Sequence, residues 1–214
     1  MKHMSKRYNV RPVYWNKAKK YLSGNDIILK KVIQSTDNKH FLTRSHTPFQ
    51  TLANAIIGQQ ISVTAASSVL KKLKANIGGL SPSGVYNAKK LLLKKSGLSR
   101  QKIEYLTVLA DKFVSTPSFF YGFKNKSDEE IIIRLCSLKG IGEWTAQMYL
   151  IFQLNRPNVL PLADIGFINS MVNIYKLKDS KITNIIKIAD KWGDYKTVAV
   201  WHIWRIIDPD VVQY

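Results

Sequence analysis

Two features of this sequence could do chemistry. One is the glycine pair in Leu138-Lys139-Gly140-Ile141-Gly142-Glu143-Trp144-Thr145-Ala146. Glycines two apart permit a tight turn whose backbone amides face outward. A helix opening directly after the turn adds free N–H groups and the positive end of its dipole. Together they can cradle an anion such as a phosphate. An ordinary interhelical turn carries the same pattern, so the pair alone does not decide. Ile141, between the glycines, is expected to anchor the turn in the core. The other feature is Asp164, in Val159-Leu160-Pro161-Leu162-Ala163-Asp164-Ile165-Gly166-Phe167-Ile168. A carboxylate among apolar neighbours is costly to bury without partners. It reads as a helix N-cap, and also as a fixed negative charge able to stabilise developing positive charge and to direct water. Both can hold, since capping would keep the group still.

Helices are expected to position both. Thr47-Pro48-Phe49-Gln50 combines an N-cap, a proline at the first helical position and a capping-box glutamine, opening a helix over 48–57. Ser62 can cap a helix with Ala65, Ala66, Val69, Leu70 and Leu73 on its inner face. Ser81-Pro82-Ser83-Gly84 reads as a turn. Ser99 opens a helix carrying Ile103, Leu106, Leu109, Ala110 and Phe113 at helical spacing. Ser127 and Glu130 form a capping box for a short helix to Cys136. Further helices are expected over 143–154, from the Asp164 cap to Tyr175, over 182–191 and over 195–207. No stretch alternates as strands do. Asn155-Arg156-Pro157-Asn158 is the clearest break between helical halves.

The chain has 214 residues, 45% of them hydrophobic, enough for one large domain or two packed lobes. Its single cysteine, Cys136, excludes an intrachain disulfide, a four-cysteine cluster and a thiolate zinc site. No apolar run is long enough for a membrane span. The basic start at residues 1–7 does not lead into a signal core, so an intracellular, cytoplasmic setting is expected, or a nuclear one in a eukaryote. Lys and Arg number 33 against 14 acids, a net +19. No acid occurs between Asp37 and Glu104, where eleven Lys or Arg do. Such a surface attracts polyanions, although lysine-rich surfaces also serve simply to solvate a protein.

The hairpin, Trp144-Thr145-Ala146, and Pro161-x-x-Asp164 some twenty residues on resemble the helix-hairpin-helix (HhH-GPD) DNA glycosylase superfamily. Within it, the chain is most similar to the DNA-3-methyladenine glycosylase II family. That family carries segments similar to Ile56-Ile57-Gly58-Gln59-Gln60-Ile61-Ser62, to Gly97-Leu98-Ser99 and to the aromatic Trp201-His202-Ile203-Trp204. The resemblance runs from about Val13 to Asp208 and lacks room for the N-terminal β-rich domain that some members have.

The resemblance implies an all-α, two-lobed fold with the active site in the cleft between lobes, one domain over 1–214 and a helix-hairpin-helix at about 128–154. It implies a base-excision enzyme that flips an alkylated purine such as 3-methyladenine out of double-stranded DNA. Asp164 would stabilise the oxocarbenium-like sugar as the N-glycosidic bond breaks. Relatives that attack the sugar covalently carry lysine two residues after the second glycine; Trp144 stands there, implying a monofunctional enzyme that uses water. An aromatic face attracts a cationic base, and the pocket candidates are Trp144 and Trp204, followed by Tyr149 and Phe49; all four could instead be core, Tyr149 and Phe49 as readily as not. Met148 replaces a pocket tyrosine of some members. DNA contacts are expected from Gln59, Gln60, Ser62, Lys139, Gly140, Ile141, Gly142 and Thr145. The Gln59-Gln60 pair, at a helix junction, is the expected source of the wedge that fills the hole left in the duplex, with Gln60 at the position where some relatives place an apolar wedge; a buried, backbone-bonded glutamine fits as well. Main-chain carbonyls of Cys136, Leu138 and Ile141 could hold a structural Na+ or K+; no other cofactor and a monomeric state are expected. The alternatives are a relative acting on oxidised or mismatched bases, and a non-catalytic helix-hairpin-helix module.

Overall fold

Several helices of this chain start where a hydroxyl or carboxylate accepts an amide. The computed structural model describes residues 11–36 and 40–207, and every regular element among them is helical. In chain order they are α1 (Trp15–Asn25), α2 (Ile27–Ser35), α3 (Pro48–Gly58), α4 (Val63–Ile77), α5 (Pro82–Tyr86), α6 (Lys90–Lys95), α7 (Arg100–Ser115), α8 (Asp128–Cys136), α9 (Glu143–Met148), α10 (Ile165–Tyr175), α11 (Ile182–Ala189) and α12 (Lys196–Ile207). Thr47 with Gln50, and Ser127 with Glu130, close reciprocal capping boxes on α3 and α8. Ser62, Ser99 and Asp164 each accept one amide at the starts of α4, α7 and α10. The all-α expectation holds among the described residues.

Several local expectations change. Ser81 caps α5 and Pro82 opens it, because Ser-Pro suits a helix start as well as a turn. Helices α1, α2 and α6 were not anticipated. On α4 only Leu73 is buried and Ala65 is exposed, so the expected inner face is narrower. The run expected as one helix over 143–154 is α-helical to Met148 and π-helical over Tyr149–Gln153. A π-turn inserts a residue into the helical ladder, which periodicity reasoning does not register.

The expected single domain forms two compact units. One comprises His46–Tyr149; the other joins the described residues up to Ser45 with those from Leu150 onward. The chain therefore changes unit inside the α9–π run, not at the Asn155–Asn158 break. In the His46–Tyr149 unit an aromatic row crosses the core: Phe49 meets Phe113 edge-on at 5.3 Å, Phe113 stacks on Phe120, and Phe123 meets Tyr149 edge-on at 5.8 Å.

The other unit is tied together by Asp26. Its Oδ1 accepts Ile28 N–H and Leu29 N–H, capping α2. Its Oδ2 accepts Tyr175 O–H at 2.7 Å and Trp192 Nε1–H at 3.1 Å. A buried carboxylate satisfied by four donors joins the N-terminal helices to α10 and to the segment after α11. Burial, with Asp26 beside it, pushes the Tyr175 hydroxyl far up from its ordinary pKa. The α12 side chains Trp201 and His202 pack against Trp15 of α1.

Candidate functional site

The hairpin spans Ser137 to Gly142 between α8 and α9. Leu138 N–H donates to Leu135 O and Ile141 N–H to Leu138 O, closing the turn. Leu138 and Ile141 are buried, so both anchor it as expected of Ile141. The two glycines do different work. Gly140 has φ +92°, and a Cβ there would lie 2.1 Å from Tyr105 Cγ. No side chain fits that conformation or that space. Gly142 is extended (φ −97°, ψ 179°), exposed, and has nothing within 4 Å of a Cβ position. It forms the N-cap of α9, with no side chain capping the helix start. Gly140 makes the turn, and Gly142 keeps the space before the helix open.

The loop after α3 leads to the same place. Gln59 Nε2 donates to Gly140 O and to Thr145 Oγ1, both at 3.0 Å. The Gln59 side chain therefore holds the hairpin and is not free to act as a wedge. The Thr145 side chain is 1% exposed and committed to that bond, which removes it from direct DNA contact. Gln60 is exposed and sits at φ +58°. A non-glycine residue there costs about 1–2 kcal/mol, and such strain gathers at functional sites. The buried, backbone-bonded alternative for Gln60 thus does not hold. Ser62 is exposed and caps α4 through Ala65 N–H. Loop, hairpin and the Gly97–Lys102 segment together line a groove of about 670 Å³.

Two groups in this unit escaped the sequence reading. Lys102 of α7 donates from Nζ to Ile57 O at 2.6 Å and to Gln59 O at 2.7 Å. Burial lowers the Lys102 ammonium from its usual pKa. A legible signal existed: Lys102 lies one turn before buried Leu106, on the inward face, where an unpaired lysine is out of place. Tyr105, one turn further along, fills the space below Gly140. Lys139 is exposed and pairs with Glu104. That hydrogen bond and charge raise the Lys139 pKa and lower the Glu104 pKa.

In the other unit, Asp164 is half-buried at the start of α10. Its Oδ1 accepts Phe167 N–H at 2.6 Å. The cap is as expected, but the apolar setting is not a buried one: Ala163 and Gly166 are exposed, and Ile165 is 75% exposed. A Cβ on residue 166 would come within 3.2 Å of Asp164 Oδ1, so the glycine leaves the carboxylate room. Among the aromatic candidates, Phe49 and Tyr149 are each 2% exposed and belong to the core row. They offer almost no surface on which a base could stack. Trp144 and Trp204 remain half-buried, Trp204 nearly parallel to Phe152 at 6.0 Å.

A family described as the HhH-GPD superfamily of base excision DNA repair proteins matches residues 53–194. The chain belongs to this superfamily. The matched span includes the glutamine loop, the hairpin and Asp164. As an HhH-GPD protein it is similar to DNA-3-methyladenine glycosylase 1 of Schizosaccharomyces pombe, with 29% identity over 197 residues, 88% of this chain and 86% of that protein. The S. pombe 3-methyladenine DNA glycosylase, solved in complex with abasic DNA, matches the fold with a TM-score of 0.78 at 28% identity, covering 88% of this chain and 95% of its own. A DNA-3-methyladenine glycosidase from Bacillus halodurans matches with a TM-score of 0.70 at 28% identity, covering 89% of each chain.

Proposed function

We infer that this HhH-GPD protein is a monofunctional DNA glycosylase that hydrolyses the N-glycosidic bond of alkylated purines, with 3-methyladenine as the type substrate. The observation that carries the reading is Asp164, a carboxylate fixed by the Phe167 amide at 2.6 Å and left unobstructed by Gly166. Its relatives named above are 3-methyladenine glycosylases, and one of them was solved with abasic DNA.

The parts act as follows. The Gly142 end of the hairpin offers unblocked backbone amides to one phosphate, positioning the protein without reading sequence. Exposed lysines of α4 and α6, among them Lys71, Lys72, Lys94 and Lys95, supply salt-sensitive attraction to the duplex. Gln60 fills the hole when the damaged nucleotide turns out. An alkylated purine is cationic, already a good leaving group, and attracted to the π-face of Trp144 or Trp204. Bond cleavage leaves positive charge on the sugar; Asp164 stabilises it and accepts a proton from the attacking water. The products are the free base and an intact abasic strand. Trp144 stands where a covalent mechanism would need a lysine. The protein works as a monomer in the compartment that holds the genome. No described helix is long and apolar enough to cross a membrane.

The carbonyls of Cys136, Leu138 and Ile141 would hold a monovalent cation. The donor chemistry fits: these are neutral oxygens around a closed turn, and a carbonyl bonded once, as Leu138 O is, keeps a second lone pair. The Cys136 thiol is pushed up by burial and by Glu143, so it is not a thiolate ligand. The cation would stiffen the hairpin and take no part in bond breaking.

The deciding experiment compares single-turnover release of 3-methyladenine from methylated duplex by wild type and Asp164→Asn. Asparagine caps helices as well as aspartate does, so folding should survive. Loss of a preorganised charge should cost about 100-fold or more, roughly 2.7 kcal/mol. Release near the wild-type rate by the asparagine variant would end the catalytic assignment.

A further inference from the structure

We propose that Lys102 is a positioning residue that locks the Gln60 loop to the phosphate-gripping hairpin, so that gripping the backbone and wedging the duplex occur as one rigid event. The inference rests on the reading of Gln60 as wedge and of the hairpin as clamp.

The geometry forms a continuous chain within one unit. At the end of α3 the last carbonyls have no helical partner and carry the negative end of the helix dipole. Lys102 Nζ bridges two of them, Ile57 O at 2.6 Å and Gln59 O at 2.7 Å. These carbonyls flank the point where the chain turns into the left-handed conformation of Gln60, at φ +58°. An ammonium bonded on that flank opposes relaxation of the turn. The side chain of the same Gln59 reaches Gly140 O and Thr145 Oγ1. One residue is therefore held at its backbone by α7 and itself holds the hairpin. Helix α7 touches the hairpin a second time, one turn along, where the Tyr105 ring fills the space at Gly140. Neither loop nor hairpin can shift against α7 without breaking one of these contacts.

A device of this kind matters only when the target base is paired and stacked. The wedge must then be driven in by force that the hairpin transmits from the backbone. A base already unpaired needs no wedge. Lys102 should therefore affect duplex and single-stranded substrates unequally, which a purely structural lysine would not do.

The test uses the full chain with a dimethyl-sulfate-treated oligonucleotide, either annealed or single-stranded, and single-turnover release of 3-methyladenine. A second duplex carries 2-aminopurine beside a tetrahydrofuran abasic analogue, whose fluorescence reports unstacking. Lys102→Met should lose about 10-fold or more in release from duplex, with a much smaller loss on the single strand. It should blunt the 2-aminopurine signal while keeping the affinity for undamaged duplex within about threefold. Lys102→Arg, which restores a cationic donor, should recover most of the duplex rate and guards against a merely misfolded methionine variant.

Gln60→Ala separates the wedge from its positioning. A duplex-selective loss in Gln60→Ala but none in Lys102→Met overturns the positioning role alone. A normal Gln60→Ala beside a defective Lys102→Met overturns Gln60 as wedge and, with it, the coupling proposed for Lys102. An equal loss on both substrates, with a shallower salt dependence of binding, makes Lys102 a phosphate contact and overturns the proposal.

Discussion

The two hairpin glycines should respond in opposite ways to the same added methyl group. At Gly140, alanine must adopt φ +92° and place Cβ 2.1 Å from Tyr105 Cγ. The backbone conformation alone costs about 1–2 kcal/mol. Expelling the Tyr105 ring adds a comparable sum, so Gly140→Ala should lose about 2–4 kcal/mol of stability. For a chain of this size that lowers Tm by roughly 5–10 °C. At Gly142 the backbone suits any residue and nothing lies within 4 Å. Gly142→Ala should therefore stay within about 1 kcal/mol of wild-type stability, the usual span between glycine and alanine at a helix cap. Its methyl group, however, enters the space a phosphate would use. Losing one charge-assisted hydrogen bond costs about 1.5–3 kcal/mol, or roughly 10- to 100-fold in Kd. Fluorescence anisotropy with undamaged and abasic-analogue duplexes, across several salt concentrations, reads this directly. The loss should be equal on both duplexes, with the salt slope unchanged because no cation is removed. Wild-type affinity in Gly142→Ala, with folding intact, would refute the phosphate clamp.

Other expectations follow from the same structure. Borohydride should trap no protein–DNA cross-link, because Trp144 occupies the nucleophile position and the nearby Lys139 is paired with Glu104; the abasic strand should break only on alkali treatment. Asp26→Ala should cost about 3 kcal/mol or more, measured by urea unfolding, because it orphans the Tyr175, Trp192 and α2 donors together. His202 should weaken the fold in acid. Its Nδ1 lies 2.7 Å from Thr36 Oγ1, and its buried Nε2 has no hydrogen-bond partner. Burial, with Lys19 and Arg205 adding to it, pushes the folded-state pKa down to about 3. Above about pH 6.5 both states are neutral and the group contributes nothing to pH dependence. Between about 6.5 and 3 only the unfolded chain takes up the proton, so stability falls as pH falls. Replacing His202 by Gln should flatten that window in a Tm-versus-pH series, and an unchanged acid limb would count against the assignment.

Helix starts and the chemistry-bearing motifs were legible in the sequence because each depends on neighbours a few residues away. Capping boxes at Thr47 and Ser127 and the caps at Ser62, Ser99 and Asp164 are all set by local hydrogen bonds. The lysine-free position at Trp144 is a matter of spacing alone. Tertiary structure decided the rest. Burial of Phe49 and Tyr149 arises from an aromatic row contributed by separate segments, so the same side chains could have lined a pocket on sequence grounds. The division of labour between Gly140 and Gly142 depends on the ring of Tyr105, 35 positions away from Gly140 in the chain. Gln59 ceased to be a wedge candidate only when Gly140 O and Thr145 Oγ1 came within 3.0 Å of it. The union of the N-terminal helices with the C-terminal half rests on Asp26 meeting Tyr175 and Trp192, partners 149 and 166 positions away. Local propensity records what a residue asks of its neighbours in sequence; which distant group answers is settled only when the chain packs.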